Sequence, residues 1–414
     1  MFYKEAASAV FLCYYNAHML SSEKTETNKT TCSYCGEAPV NHTFYYLGKL
    51  IFTRIDSHMA SVSASAPRFL KIFADYIPIF IFNALRKFGL GHFSSDVEKA
   101  SSFRSRVIWE EAERRGIVME QVILGGIYVD WYRARFGNRT IYFESIPIAR
   151  EFLYSKKDWD DKIVLKEELG RHGLPVPKHE GLSLLSLQHP EDIFSKLPKP
   201  VIVKPQSGSR ARHTVTNIGT LEHFKKAITI AGEISPYLVV EEHLVGYICR
   251  ATVIGGKLAG FYRGSVPRVI GDGVKTIREL IDQKNSTQIE RYHVRLKPEL
   301  HDHIARFGFF IDDVLPAGVP LSLSHRAGQL FGGHTKEMID ELHQSFIPII
   351  EKAASVVGLS VIGFDCIIPD PTGDAGSQRW GIIECNTLPF IDVHYYALEG
   401  KPRNIAGMIW DLWN

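Results

Sequence analysis

Apolar and polar positions follow no sustained period over residues 1–65, and a clear helix-then-strand rhythm emerges only further along the chain. Ser21–Thr31 is polar and turn-like and Ser57–Ala66 is rich in serine and alanine. Such stretches cannot bury enough apolar surface to order themselves, so 1–65 is expected to be an irregular N-terminal segment. Tyr76–Leu85 (YIPIFIFNAL) is the most apolar run, and is expected to be a helix buried against the rest of the protein. Ser102–Arg115 carries apolar residues at helical spacing and stops at Gly116, whereas Val118–Leu124 and Thr140–Phe143 read as strands. Residues 66–155 are therefore expected to be a helical and α/β region preceding the main unit.

From residue 156 the pattern sharpens. Asp161–His172 is a charged helix closed by Gly173, Val201–Lys204 a strand, 205–214 a loop, Val215–Ile218 a returning strand, Leu221–Ala231 a helix and Tyr237–Glu241 a strand. Gly255–Gly256 joins Val253–Ile254 to Lys257–Tyr262 as a hairpin. These elements predict a small sheet covered by a helix, with the shape of a lid, over about 198–262. The last part alternates a helix (Asp340–Val357), a strand (Val361–Ile368), a loop (369–379), a strand (Trp380–Cys385) and a helix (Ile405–Trp413). The fold class is α/β (α+β), with 156–414 as the principal unit.

Charge adds an exclusion. The 414 residues hold 48 Lys plus Arg against 46 Asp plus Glu, a net charge of +2, so no global basic field points to nucleic acid. No run is long enough for a membrane span. Residues 6–15 (AASAVFLCYY) resemble a short signal-peptide core, but Glu5 beside Lys4 and the lack of a cleavage site argue against one. Cysteines stand at 13, 32, 35, 249, 366 and 385, and Cys366 and Cys385 sit in apolar strand-like runs, as reduced buried thiols do. Cys32 and Cys35 form a CxxC with His42 nearby. A zinc site needs about four ligands and no second pair follows at suitable spacing, so an incidental pair is expected.

Two carboxylates carry the chemistry. Asp365 interrupts VIGFDCII and Glu384 interrupts WGIIECN. Burying a lone carboxylate costs several kcal/mol, roughly, unless something pairs with it. Glu384 and Asn386 are two apart and share one side of a strand. The short loop 369–379 lets the two strands pair antiparallel, which would gather Asp365, Glu384 and Asn386 on one face. Three hard oxygen ligands suit Mg²⁺, with an arginine-paired buried acid as the alternative. Lys204 ends the apolar strand of VIVKP ahead of the small-residue loop SGSRARHT (207–214), where a lysine and backbone N–H groups can reach a phosphate. Lys162 is a second candidate.

Together these pieces resemble the ATP-grasp superfamily, in particular the ATP-grasp module of cyanophycin synthetase and, more distantly, glutathione synthetase and D-alanine–D-alanine ligase. The matching stretches are 161–177, 201–214, 239–246, 255–282, 363–365, 382–386 and 394–406. The resemblance implies an ATP-grasp fold, two α/β subdomains clasping ATP, with ATP and Mg²⁺ as cofactors. It assigns Lys162 and Lys204 to the phosphates, with Ser207, Gly208 and Ser209 in the loop beside them. Glu241, Glu242 and Leu244 fall at the adenine-contacting hinge, and Asp365, Glu384 and Asn386 at the metal. Arg326 matches an arginine facing the transferred phosphoryl group, and Arg250 and Arg263 match substrate-side positions. His394 is expected beside them in an acceptor cleft.

The activity implied is an ATP-dependent carboxylate–amine ligase acting through an acyl phosphate on amino-acid or peptide-like small molecules. It would be cytoplasmic, and a homo-oligomer is compatible with it. Alternatives are a non-amine acceptor, or nucleotide binding without turnover. Four positions depart from the family pattern: Ala211 and His213 stand where glycine is usual, Ile248 where an acidic residue is common on the ribose, and Gly328 of the RAG at 326–328 where relatives often carry an asparagine two positions after the arginine. The second ligase module of cyanophycin synthetase has no counterpart in these 414 residues, so cyanophycin synthesis itself is not expected.

Overall fold

The computed structural model describes residues 32, 34–35, 40–51, 79–148, 157–186, 189–208, 211–305, 307–324, 327–328 and 331–413. Four sheets organise them. The first is an antiparallel meander of β1 (Gly91–Ser94), β2 (Val118–Leu124), β3 (Ile127–Phe136) and β4 (Arg139–Glu144), with the helix Phe103–Arg114 connecting β1 to β2. Ser102 caps that helix through the Ser105 N–H. The strand β3 was not anticipated: its WYRAR centre mixes charges into the pattern, and both strands it joins are needed to satisfy its backbone. Trp109, Tyr132 and Phe143 pack here with Ile405, Ile409 and Trp410 of the C-terminal helix, which ties the first sheet to the end of the chain.

The second sheet, in order β5–β8–β6–β7, contains β5 (His179–Ser183), β6 (Val201–Pro205), β7 (Val215–Ile218) and β8 (Tyr237–Glu242). The helices Pro190–Lys196 and Leu221–Gly232 cover it through Ile193, Phe224 and Ala227. The third and largest sheet has the order β13–β10–β9–β14–β15, from β9 (Tyr247–Ile254), β10 (Lys257–Gly264), β13 (Thr335–Glu337), β14 (Val361–Ile368) and β15 (Gly381–Asn386). Its core face, with Cys249, Phe364, Cys366 and Cys385, packs on the helix Phe346–Val357. The fourth is a ribbon of β11 (Arg268–Ile270) with β12 (Pro320–Ser322), which holds the helices Ile277–Ser286 and Pro298–Ala305 in a small core of their own.

Several expectations are corrected. The β9–β10 hairpin, expected inside the lid, belongs to the third sheet, and β5, upstream of the expected boundary at about 198, joins the second sheet. The helix expected from Asp340 begins at Phe346, because Pro348 lacks the N–H that an interior helical position requires. Residues 42–51, expected to be irregular, are helical. Of the apolar run Tyr76–Leu85, the described part is helical from 79. Phe82 is buried there, whereas Phe80 is 75 % exposed, so the run packs on one side only.

The helix Lys162–Arg171 lies where the lid sheet and the third sheet meet. It packs on both β5 and β15. Asp161 caps it, accepting from the N–H groups of Ile163 and Val164, and its other carboxylate oxygen accepts from the Gln206 side chain at 2.5 Å. The chain passes from β8 to β9 through 243–246. Gly246 belongs there because an added Cβ would come within 2.5 Å of the Ile368 carbonyl carbon.

Candidate active site

One row of residues crosses the third sheet. Tyr262, Arg250, Asp365 and Glu384 are successive cross-strand partners on β10, β9, β14 and β15. Direct partners in antiparallel strands point to the same face. Arg250 grips Asp365 with two hydrogen bonds of 2.7 Å, from Nε to Oδ1 and from Nη2 to Oδ2. Asn386, across from Gly363, donates from Nδ2 to Asp365 Oδ2 at 3.3 Å. Gly363 has no room for a side chain, since a Cβ would stand 2.8 Å from Pro389.

The two carboxylates perturb each other. Burial pushes Asp365 up, and Glu384 adds to that; Arg250 opposes both, and the carboxyl comes to about 6. Burial also works against ionisation of Glu384. Lys162, a hydrogen bond with Asp365, Lys204 and Arg250 together outweigh it, and Glu384 is held down at about 2.

Cations approach from the helix Lys162–Arg171 and from the second sheet. Lys162 Nζ is 3.5 Å from Glu384 Oε2 and donates to the Gly208 carbonyl at 2.9 Å. Lys204, at the end of β6, pairs with Glu241 on the neighbouring β8. Lys166 completes the group. Its ammonium is fully buried, 2.9 Å from the other Glu241 oxygen, and donates to the carbonyls of Ile383 at 2.8 Å and Lys162 at 3.2 Å. Burial lowers Lys166 to about 8, partly offset by Glu241. In Glu241 the lysine charges prevail over burial and hold the carboxyl near 2. Lys166 was not singled out in the sequence, although it lies one helical turn after Lys162, between the core residues Leu165 and Leu169, where a charge stands out.

Other expected residues are placed as follows. Glu241 spends its carboxylate on the two lysines rather than on an open surface. Glu242 is bound by Arg379 through Nε at 3.0 Å and Nη2 at 2.5 Å. Leu244 is buried in the link between sheets. Ser207 Oγ accepts from Lys49 of the 42–51 helix at 2.8 Å, and a Cβ on Gly208 would lie 3.2 Å from the Tyr45 hydroxyl, so this helix runs beside the loop. Ser209 and Arg326 lie outside the described residues.

Two substrate-side expectations, for Arg263 and His394, are corrected. Arg250 lies within the carboxylate group, bonded to Asp365. Arg263 pairs with Cys249, one position out of the Tyr262–Arg250 row, so the strand alternation turns it to the opposite face. There its guanidinium lies 4.6 Å from the Tyr247 ring. His394 is fully buried and bonded to Thr252 Oγ1 at 2.7 Å and Glu337 Oε2 at 2.5 Å, so it lines no open cleft.

No family model matches the chain. It is 28 % identical over 259 residues to cyanophycin synthetase of Trichormus variabilis, covering 61 % of this chain and 29 % of that one. It is 25 % identical over 318 residues to the glutathione biosynthesis bifunctional protein of Listeria innocua, covering 74 % and 40 %. Among solved structures, a bifunctional glutathione synthetase from Pasteurella multocida superposes with a TM-score of 0.54 at 22 % identity, over 75 % of this chain and 43 % of that one. The chain thus spans less than half the length of each of these relatives. By sequence and by fold, it is similar to the ATP-grasp ligases.

Proposed function

We propose that the chain is an ATP-dependent carboxylate–amine ligase with its centre at Lys162, Lys204, Asp365, Glu384 and Asn386. The observation that carries this reading is the approach of Lys162, from its helix, to Glu384 of the carboxylate pair, with Lys204 of the second sheet held on Glu241 close enough for its charge to act on Glu384. The oxygens of Asp365, Glu384 and Asn386 suit Mg²⁺: the buried Asp365 and the partly buried Glu384 are direct cross-strand partners on one face, and Glu384 helps to push Asp365 up to about 6 despite Arg250. Held by these three residues, Mg²⁺ would supply charge neutralisation at the phosphates.

The residues of the chain then have distinct tasks. Lys162 and Lys204 hold the phosphates of ATP, with Ser207 and Gly208 beside them. The substrate carboxylate attacks the γ-phosphorus and ADP leaves, giving an acyl phosphate. An amine attacks the acyl carbon, phosphate departs with the C–O electron pair, and the amine proton passes to solvent. Such phosphoryl transfer needs position and neutralised charge rather than a protein nucleophile. The lid sheet excludes water, which would hydrolyse the acyl phosphate. Amino acids or short peptides are the substrate class. The deciding measurement is ADP release against panels of amino acids and peptides. Release that depends on one acid and one amine, with an amide product by mass spectrometry, is expected; ATP binding with no substrate-dependent turnover would overturn the reading.

A further inference from the structure

We infer that Cys32, Cys35, His42 and His213 form a structural zinc site that fastens the N-terminal segment to the lid. Their ligand atoms all lie within 4.8 Å of one another, although the fourth residue is far away in sequence. The sulfur–nitrogen separations are 3.5 Å for Cys32–His213, 3.4 Å for Cys35–His213 and 3.2 Å for Cys35–His42. A tetrahedral zinc, with Zn–S of about 2.3 Å and Zn–N of about 2.0–2.1 Å, separates sulfur from nitrogen by about 3.5 Å.

The far side of each imidazole points the same way. His213 Nδ1 lies 2.7 Å from the Ile230 carbonyl, and His42 Nδ1 lies 3.4 Å from Glu233 Oε2. An acceptor at Nδ1 places the proton there and leaves the Nε2 lone pair facing inward, as metal-bound histidines are held. Two such lone pairs and two sulfurs then converge on one point, a donor set that selects zinc over harder cations. Hydrogen bonding alone accounts for this less well, because two thiol protons would serve three short sulfur–nitrogen approaches.

The site also explains a loop residue out of keeping with its position. His213 is fully buried and takes a positive φ of 50°, where glycine would be unstrained. Its N–H donates to the Tyr34 carbonyl at 3.0 Å, inside the CxxC turn. Zinc would thereby tie the turn at 32–35 and the start of the 42–51 helix to the loop that follows Lys204. That helix reaches the same loop through Lys49 and Ser207. The site stands independently of the ligase reading.

The test is the metal content of the untagged full chain, purified without chelator under reducing conditions. About one zinc per chain is expected, falling more than about tenfold in Cys35→Ser and His213→Ala. Because these variants can lose the local fold with the metal, the unmutated chain gives a second reading. Stripped with a chelator and loaded with Co²⁺, it should show the intense visible bands of tetrahedral cobalt with thiolate charge transfer in the near ultraviolet. A chain that takes up no stoichiometric zinc after reconstitution, a weak octahedral cobalt spectrum, or full zinc retention by Cys35→Ser would each overturn the site.

Discussion

Glu384 lies directly across the strand pair from Asp365, on the same face, and the two carboxylates titrate in opposite directions, one held near 2 and the other raised to about 6. The difference comes from their neighbours. Glu384 faces the lysines of the lid side, whereas Asp365 is deeper and has the single guanidinium of Arg250. Replacing Glu384 by Gln keeps the size and removes the charge. Turnover in the ADP-release assay is expected to fall by about 100-fold or more, because phosphoryl transfer depends on positioned charge, with a cooperative unfolding transition retained. Parental turnover in Glu384→Gln would place the metal elsewhere.

Glu241 holds two buried lysines, and removing its charge strands both. Glu241→Gln is expected to cost about 3–5 kcal/mol, the range for breaking a buried ion pair on one side, read by urea unfolding. A pH dependence accompanies it. The folded carboxyl sits near 2, below its usual 4.5, so the folded state binds fewer protons than the unfolded chain between those values. The stabilisation is present above pH 4.5 and lost as pH falls towards 2. Glu241→Gln should flatten that acid limb; an unchanged limb would show that other carboxylates carry it.

Arg250 and Arg263 should separate in kinetics. Arg250→Lys loses the two-pronged hold on Asp365, and kcat is expected to drop by roughly tenfold or more, since lysine cannot reproduce a bidentate pair. Arg263→Ala lies on the other sheet face, and kcat and KM should stay within about twofold of the parent. A large rise in KM for the acid substrate in Arg263→Ala would return that residue to the substrate side.

The link between the sheets offers a backbone test. Gly246→Ala places a Cβ 2.5–2.6 Å from the backbone of Ile368 and Pro369. Backbone cannot step aside as a side chain does, so a loss of about 2 kcal/mol or more is expected, measured by thermal or urea unfolding. An unaffected midpoint would mean that the end of β14 can move away from the start of β9 at no cost.

What the sequence determined by itself was local. Periodicity located the strand around Asp365 and the strand around Glu384, and the spacing of Glu384 and Asn386 with the short loop 369–379 already required a common face, because strand geometry has a fixed period of two. The lysine at the end of the VIVKP strand was legible for the same reason. Tertiary structure decided what the side chains meet. The β9–β10 hairpin carries no mark of which sheet it joins, since either edge satisfies its backbone. One position of register turned Arg263 away from Arg250, and burial of His394 followed from Thr252 and Glu337, far from it in sequence. Lys166 became a central charge only when β8 brought Glu241 over the helix. Cys32 and Cys35 lacked a fourth ligand along the chain; packing of the two cysteines beside the 211–214 loop supplied His213, 178 residues beyond Cys35. Long-range ligands and salt-bridge partners are set by how sheets pack, and no local pattern encodes that.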